Sequence, residues 1–453
     1  MTVLQLHHGD CLDVLATVEP ASFDAFVDDP PAGIAMMGRA WDDLRGYKPR
    51  TERGREVLAG LGLLGLAPWA AGFVAFMAEV AAAKLRVAKP GAHSLSWALP
   101  RTSDLTMMAM RLAGWEIRDT ITHLAASGFP KSLDVRKAID KLHGAEREVV
   151  GSNPNLAGRT RPNGCIAPDG TESTITAPAT DDARKWDGWG TALSPAAEYW
   201  ILARAPMFET VARNVLAHGT GALNIGATRT PASDKATFPA GIISNTGTAY
   251  GGGAGMYADR PRGEDSNPSG RWPKNAVLSC ALACEGDRHS PGCPRRMLDE
   301  MSGHLLSGWR SCRTGIGDAL FNHGAGTSAF DKDEGGGASR FFPTFGYYPK
   351  ASDRTIPGRS DITNSHPTIK SPDLMRWLIR LVTPPGGRLL DCFMGSGTTG
   401  VACAAEGVDF VGIEADPANF EIARARILAA HGSPEYAAEA NAAAPVGSQL
   451  GLL

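Results

Sequence analysis

Strand-like and helix-like segments alternate at both ends of this 453-residue chain, and this alternation predicts an α/β fold. Two further observations sharpen the prediction. Near the C-terminus a short apolar strand, Gly387 to Leu390, runs into a glycine turn, and an alanine-rich helix from Thr399 to Glu406 follows. The middle of the chain, residues 207 to 345, is by contrast glycine-rich and has little regular periodicity.

The elements follow in order. Val3 to Leu6 is a short strand, and Phe23 to Val27 is a second that ends on Asp28 and Asp29. A helix over Phe73 to Val87 precedes Pro90-Gly91 and a strand over Ser94 to Leu99. Ser103 to Ala113 is helical, and Ile117 to Leu124 and Glu198 to Ala203 are further strands. The polar segment between these last two, roughly 145 to 192, carries turn residues and is expected to be an insertion. Between 207 and 345, glycine clusters at 251–253 and 335–337 accompany interleaved cations and rings. Arg271 precedes Trp272, and Arg340 precedes Phe341 and Phe342. These rings suit the core of a loop-rich domain or a surface that combines charge with stacking. Regular texture returns from Ser371 to about Ala430, with the helix Leu374 to Leu381 near its start. The Ala-, Glu- and Pro-rich tail from 431 to 453 is expected to fray.

Composition narrows the class. A hydrophobic fraction of 43% and a charged fraction of 21% are those of a soluble globular protein with a sizeable core. The net charge of −3 provides no global basic field, so any nucleic-acid face must be local. Eight scattered cysteines and a start lacking a secretion signal predict a cytoplasmic protein with reduced thiols. Val57 to Ala78 is uncharged and long enough to span a bilayer. Its glycines and Pro68 interrupt it, and it continues into a stretch carrying Glu79, Lys84 and Arg86. An amphipathic cover for a sheet, with no membrane partner, is therefore expected.

Two short motifs carry the chemistry. In Asp391-Cys392-Phe393-Met394-Gly395-Ser396-Gly397-Thr398, the glycines allow a sharp turn and close approach of a ligand to the backbone. The next strand, Asp409 to Ile413, ends on Glu414. That acid lies about 20 residues beyond the turn, where nucleoside-binding folds hold ribose hydroxyls. The second motif is Asp29-Pro30-Pro31-Ala32 at the end of the second strand. Proline has no N–H, so the carbonyls of this rigid stretch stay available as acceptors. An exocyclic amino group could give one N–H to Asp29 and the other to the Pro30 carbonyl. Alone, such a tetrapeptide is more often an ordinary loop.

Together the two motifs resemble those of the amino-group DNA methyltransferases, in the permuted (β-class) order where the catalytic motif precedes the cofactor motif. The resemblance covers most of the chain outside 145 to 192 and the tail. His7 to Leu12 is similar to the opening strand and turn, with Asp10 and Cys11 at the adenine of S-adenosylmethionine. Ser127 to Val135 is similar to a segment of phage-type members. His366-Pro367-Thr368-Ile369-Lys370 resembles the segment that closes over the methionine moiety. Asp391, Phe393, Gly395, Ser396, Gly397, Thr398 and Glu414 look like the rest of the cofactor pocket.

The resemblance implies a Rossmann-like methyltransferase sheet assembled from the two ends of the chain. Residues 1–206 would form the catalytic half, 346–430 the cofactor half, and 207–345 a target-recognition domain between them. Asp10, Asp29, Asp391 and Glu414 would then meet at one crevice, because ligands bind at the carboxyl ends of strands in open α/β sheets. The implied reaction is methyl transfer to adenine N6 in DNA, with cytosine N4 as the alternative. The family usually has an aromatic residue where this chain has Ala32. Its stacking on a base is worth about 1–3 kcal/mol. Trp41, Trp97, Trp200 and Phe129 are candidate replacements, and a catalytically weakened DNA-binding member is a second alternative. A nucleotide-dependent oxidoreductase would suit the glycine turn but leaves Asp29-Pro30-Pro31 idle.

Lys131, Arg136, Arg271 and Arg340 are candidate DNA contacts. Cys280, Cys284, His289 and Cys293 have the ligand types and proximity for a structural zinc ion, although the spacing is not that of a standard finger. Three buried thiols beside a surface histidine is the plainer reading. Assembly is open between a monomer and a homodimer.

Overall fold

The computed structural model of the protein describes residues 3–34, 42–125, 132–152, 174–231, 270–281, 283–285, 288–304, 336–346, 355–356, 359–364, 366 and 369–432. The N-terminal part contains β1 (Leu4–His8), α1 (Cys11–Thr17), β2 (Phe23–Asp28), α2 (Glu52–Leu63), α3 (Pro68–Val87), β3 (Ala88–Ala98), α4 (Ser103–Ala113) and β4 (Glu116–Leu124). Next come α5 (Val135–Leu142), β5 (Val149–Ser152), β6 (Thr174–Thr176), α6 (Asp181–Lys185), β7 (Ala197–Arg204) and α7 (Val211–His218). The central part adds β8 (Ala276–Ser279), α8 (Pro294–Ser302), β9 (Thr344–Phe345), β10 (Thr355–Ile356) and β11 (Arg359–Thr363). The chain closes with α9 (Pro372–Val382), β12 (Arg388–Asp391), α10 (Thr398–Glu406), β13 (Asp409–Glu414) and α11 (Pro417–Gly432).

Nine strands form one sheet in the order β1-β13-β12-β2-β3-β7-β4-β8-β9. The two ends of the chain interleave at its centre. β12 pairs in parallel with β2, matching Leu389 to Ala25 and Leu390 to Phe26, and β13 pairs in parallel with β1. These four residues are fully buried, as expected of strands covered on both faces. The side chain of Asp24 ties the seam from below. It accepts from the Arg388 N–H at 2.8 Å and from Lys89 Nζ at 2.6 Å. β7 runs antiparallel to both β3 and β4, so its first residues lie at the same edge as the last residues of its neighbours.

The long uncharged stretch from 57 to 78 is divided between two helices. Gly65 takes a left-handed φ of 76°, and Pro68 opens α3 where its missing N–H is harmless. The first half of α3 packs against α2 and α4, and Val80, Ala81 and Val87 reach the core beside the sheet. No described helix is long and apolar enough to cross a membrane.

Two short stretches of the segment from 207 to 345 join the sheet, which its aperiodic sequence did not suggest. β8 and β9 extend the sheet beyond β4, each in parallel pairing. Asn214 in α7 donates to the carbonyls of Pro90 at 2.9 Å and Thr220 at 2.8 Å, locking α7 beneath β3. The insertion is also anchored. Buried Asp140 of α5 accepts from the N–H groups of Ala179 and Thr180, and from the Thr180 hydroxyl at 2.8 Å.

One ion pair lies inside the fold. Lys84 from α3 contacts Asp28 at the end of β2, and both side chains are almost completely buried. Ser96 Oγ donates to Asp28 at 2.7 Å, and Lys84 Nζ donates to Ser94 Oγ at 3.0 Å. A buried carboxylate stripped of its cation is costly, whereas neutral replacement of both partners is tolerated. Lys84→Met is therefore expected to destabilise the protein by about 3–5 kcal/mol. Adding Asp28→Asn should restore most of that loss, as read from urea unfolding of both variants.

Candidate functional site

The carboxyl edge of the sheet opens into a cleft of about 700 Å³, within the range of about 300–1,000 Å³ usual for small-molecule sites. Asp10 and Cys11 enter it from the end of β1, and Asp29, Pro30, Pro31 and Ala32 from the end of β2. Asp391, Phe393, Gly395, Ser396 and Thr398 line it after β12, and Glu414 after β13. His366 and Lys370 close one side. The segments expected to meet therefore share one cavity.

The glycine turn is built for close approach. Gly395 has a φ of 54°, and a side chain there would press on the His366 ring. Gly397, expected as a cofactor contact, does not line the cleft. Its φ of 83° starts α10, and its Cα faces Ala423 and Ile427 of α11, where a Cβ would clash. Glu414 is fixed from two sides, accepting the Gly395 N–H at 2.7 Å and the Asp416 N–H at 2.9 Å. Each oxygen keeps a lone pair for a further donor such as a ribose hydroxyl. Asp10 caps α1 through the Leu12 N–H at 2.9 Å and pairs with Arg50 Nη1 at 2.8 Å. Burial pushes the Cys11 thiol up to about 12, which favours the neutral thiol.

At the other side of the cleft, Lys370 Nζ is 3.1 Å from Asp29 Oδ2 and 3.9 Å from Glu198 Oε2. The same ammonium lies 3.8 Å from the centre of the Trp97 ring, a cation–π contact. Trp97 Nε1 donates to Glu198 Oε2 at 3.2 Å. Lys370, in the segment expected to close over the methionine moiety, is thus paired with the acid of the proline motif. The loop after Pro31 is held by Asp42, which is fully buried and accepts the Gly33 N–H at 2.7 Å and the Ile34 N–H at 3.2 Å.

Sequence reasoning missed Glu198, Asp42 and Arg426. Arg426 is buried behind the glycine turn and donates to Ser396 Oγ at 3.1 Å and Thr398 Oγ1 at 3.3 Å. A signal existed, since Arg426 falls three and four residues after Ala423 and Ile422 on the apolar stripe of α11. Glu198 had only its place at the start of an apolar strand.

Burial shapes the acids and the imidazole. Burial, aided by the charges of Asp28 and Asp29, pushes the Asp391 carboxyl up to about 8, against the hydrogen bonds from Thr399 and the Phe393 N–H. Burial together with Lys370 and Arg426 depresses His366 to about 4, so it is neutral at physiological pH. Burial also raises Glu414.

Among the ring candidates, Trp97 lines the cleft, while Trp200 is fully buried in the core. Trp41 and Phe129 lie outside the described residues, as do Thr368 and Lys131. Arg136 pairs with Asp134 and Asp187 of the insertion region. Arg271 and Arg340 flank one ring, with guanidinium carbons 5.0 Å and 4.5 Å from the centre of Phe341. Cys280, Cys284, His289 and Cys293 come together beyond β8.

Comparison with known proteins finds matches to parts of the chain. Residues 269–425 match the N6_N4_Mtase family of DNA methylases, a span that includes the glycine turn and Glu414 but not Asp29. The type II methyltransferase M.BglI of Bacillus subtilis is 46% identical over 50 residues, 11% of this chain and 14% of that protein. The type II methyltransferase M2.DpnII of Streptococcus pneumoniae is 44% identical over 64 residues, 14% of this chain and 24% of that protein. The matched residues thus span a quarter or less of these relatives' length. The structure of PvuII DNA methyltransferase (cytosine-N4-specific) superposes with a TM-score of 0.41 at 10% identity, covering 97% of this chain and 92% of that one.

The Asp391 shift has a testable sign. The folded carboxyl stays protonated up to about pH 8, whereas the unfolded one ionises near the ordinary aspartate value of 3.8. The folded state therefore binds the extra proton in this window, and stability falls as pH rises through it, by up to about 1.4 kcal/mol per unit. Asp391→Asn should flatten that part of the stability–pH profile measured by urea unfolding.

Proposed function

We propose that this chain is a DNA methyltransferase that moves the methyl group of S-adenosylmethionine to adenine N6. The observation that carries the reading is that Asp29-Pro30-Pro31 and the Gly395–Glu414 pair line one cleft. The residues present suit the cofactor: an anchored acid for ribose hydroxyls, a side-chain-free turn, and Asp10 with the backbone of Cys11 for the adenine.

S-adenosylmethionine supplies an electrophilic methyl group on a sulfonium. The protein's part is positioning and polarisation. A flipped-out base would give one amino N–H to Asp29 and the other to the Pro30 carbonyl, which directs the nitrogen lone pair toward the methyl donor. Bound S-adenosylmethionine would supply the methyl group to that nitrogen, and Asp29 lies where it could take up the proton the amino group would lose. Lys370, seated on Trp97 and paired with Asp29, orients that carboxylate. Neutral His366 adds no positive charge beside a cationic donor.

An aspartate at the first motif position favours adenine, and cytosine N4 shares the same hydrogen-bond geometry. Trp97 is our choice for the ring that replaces the usual aromatic at Ala32. The arginine pair around Phe341 belongs to the proposed target-recognition segment.

Mass spectrometry of nucleosides from DNA incubated with protein and cofactor tests the assignment. N6-methyladenine is expected, and Asp29→Ala should abolish it while leaving cofactor binding intact by calorimetry. N4-methylcytosine would move the assignment to the other base. Neither product, with DNA binding retained, would favour a binding-only protein. Trp97→Ala should lower kcat/KM for DNA by about tenfold or more, in keeping with a stacking contribution of about 1–3 kcal/mol.

A further inference from the structure

We infer that Cys280, Cys284, His289 and Cys293 bind one zinc ion, which fastens the outer edge of the sheet to α8. The site is separate from the cleft and does not depend on the reaction assigned to it.

The four side chains are close enough to surround one ion. The four candidate ligand atoms all lie within 4.8 Å of one another. His289 Nδ1 is 3.7 Å from Cys280 Sγ and 3.8 Å from Cys293 Sγ. With Zn–S near 2.3 Å and Zn–N near 2.0–2.1 Å, tetrahedral ligands stand roughly 3.5–3.8 Å apart. Four ligands from protein and no open position describe a structural site.

The local chain is arranged to deliver these atoms. Cys280 directly follows β8, and its N–H donates to the Phe345 carbonyl at 2.9 Å. A turn brings back Cys284, and Glu285 and Arg288 pair across the next reversal. Cys293 caps α8, where Pro294 begins the helix. The Ser290 N–H donates to Cys284 Sγ at 3.4 Å, the kind of outer contact that offsets charge on a metal-bound thiolate.

Packing makes the same case. Among the described residues from 280 to 304, Cys293 alone is buried, and α8 buries nothing. Met297 and Met301 of α8 are exposed. A segment that lacks an apolar core needs another source of order, and a metal is a usual one. The remaining described cysteines, Cys11, Cys392 and Cys403, are buried in the main core and serve as packing.

What the staple would hold is visible from its neighbours. Asp299 of α8 accepts the Ser339 N–H and hydroxyl, each at 2.8 Å, next to Arg340 and Phe341. Ser279, beside Cys280, contacts His123 Nε2 at 2.8 Å, and His123 Nδ1 lies 3.6 Å from Glu198 at the cleft. Loss of the ion should loosen the Arg340 face before it disturbs the cleft.

The test is metal analysis of the full chain, expressed with added zinc and purified under reducing conditions. We expect close to one zinc per chain, falling to background in Cys280→Ser/Cys293→Ser. Replacement by cobalt should give the intense visible bands of tetrahedral cobalt–thiolate, absent in that variant. S-adenosylmethionine binding by calorimetry, retained in the variant, would show that it is folded. Clearly substoichiometric zinc in the wild type without cobalt–thiolate bands would overturn the inference. So would zinc retained unchanged in the double variant, or a Cys280–Cys293 disulfide found by mass spectrometry in the reduced preparation.

Discussion

The parallel pairing of β12 with β2 is the contact on which the rest of the structure depends. It joins Leu389 and Leu390 to Ala25 and Phe26, residues from opposite ends of the chain. No local interaction could bring them together, so the closure entropy must be repaid by burial of both strands and by the Asp24 contacts beneath the seam. Once the seam forms, β13 falls beside β1. The glycine turn and the proline motif then open onto the same edge. The cleft is therefore a product of topology before it is one of side-chain chemistry.

That topology concentrates acids. Asp28, Asp29, Asp391 and Glu414 all end strands at one edge, and like charges this close cannot all ionise without cost. The protein answers each differently. Asp28 is matched by Lys84 inside the fold, and Asp29 by Lys370 in the cleft. Asp391 is kept protonated, and Glu414 is spread over two backbone N–H groups. With Asp28 and Asp29 paired and Asp391 protonated, the cleft carries little net negative charge of its own. The polyanion would be met elsewhere, where Arg271 and Arg340 gather around Phe341.

Much of this was legible from the residues. The strand–turn–helix at Leu389 to Glu406 and the acid at Glu414 follow from local rules, because glycine freedom and strand length act over a few residues. Ser103 to Ala113 was bounded correctly because Gly114 stops it in the left-handed region. The edge strands β8 and β9 were not legible. They span four and two residues, too short to show alternation, and they form by pairing, β8 on β4 and β9 on β8. Lys370 shows the same limit within the site. Besides Asp29 it meets Glu198, which is far away in sequence and arrives on an antiparallel strand whose direction no local pattern specifies. Gly397 illustrates a motif position whose work is packing against α11 rather than contact with a ligand.

The central claim is that one cleft, built from both chain ends, holds the methyl donor against the proline motif. A crystal structure with bound S-adenosylmethionine tests it most directly. The account predicts ribose hydroxyls on Glu414 and the sulfonium methyl facing Asp29 and the Pro30 carbonyl. A cofactor seated elsewhere, or one whose methyl group points away from Asp29, would contradict it.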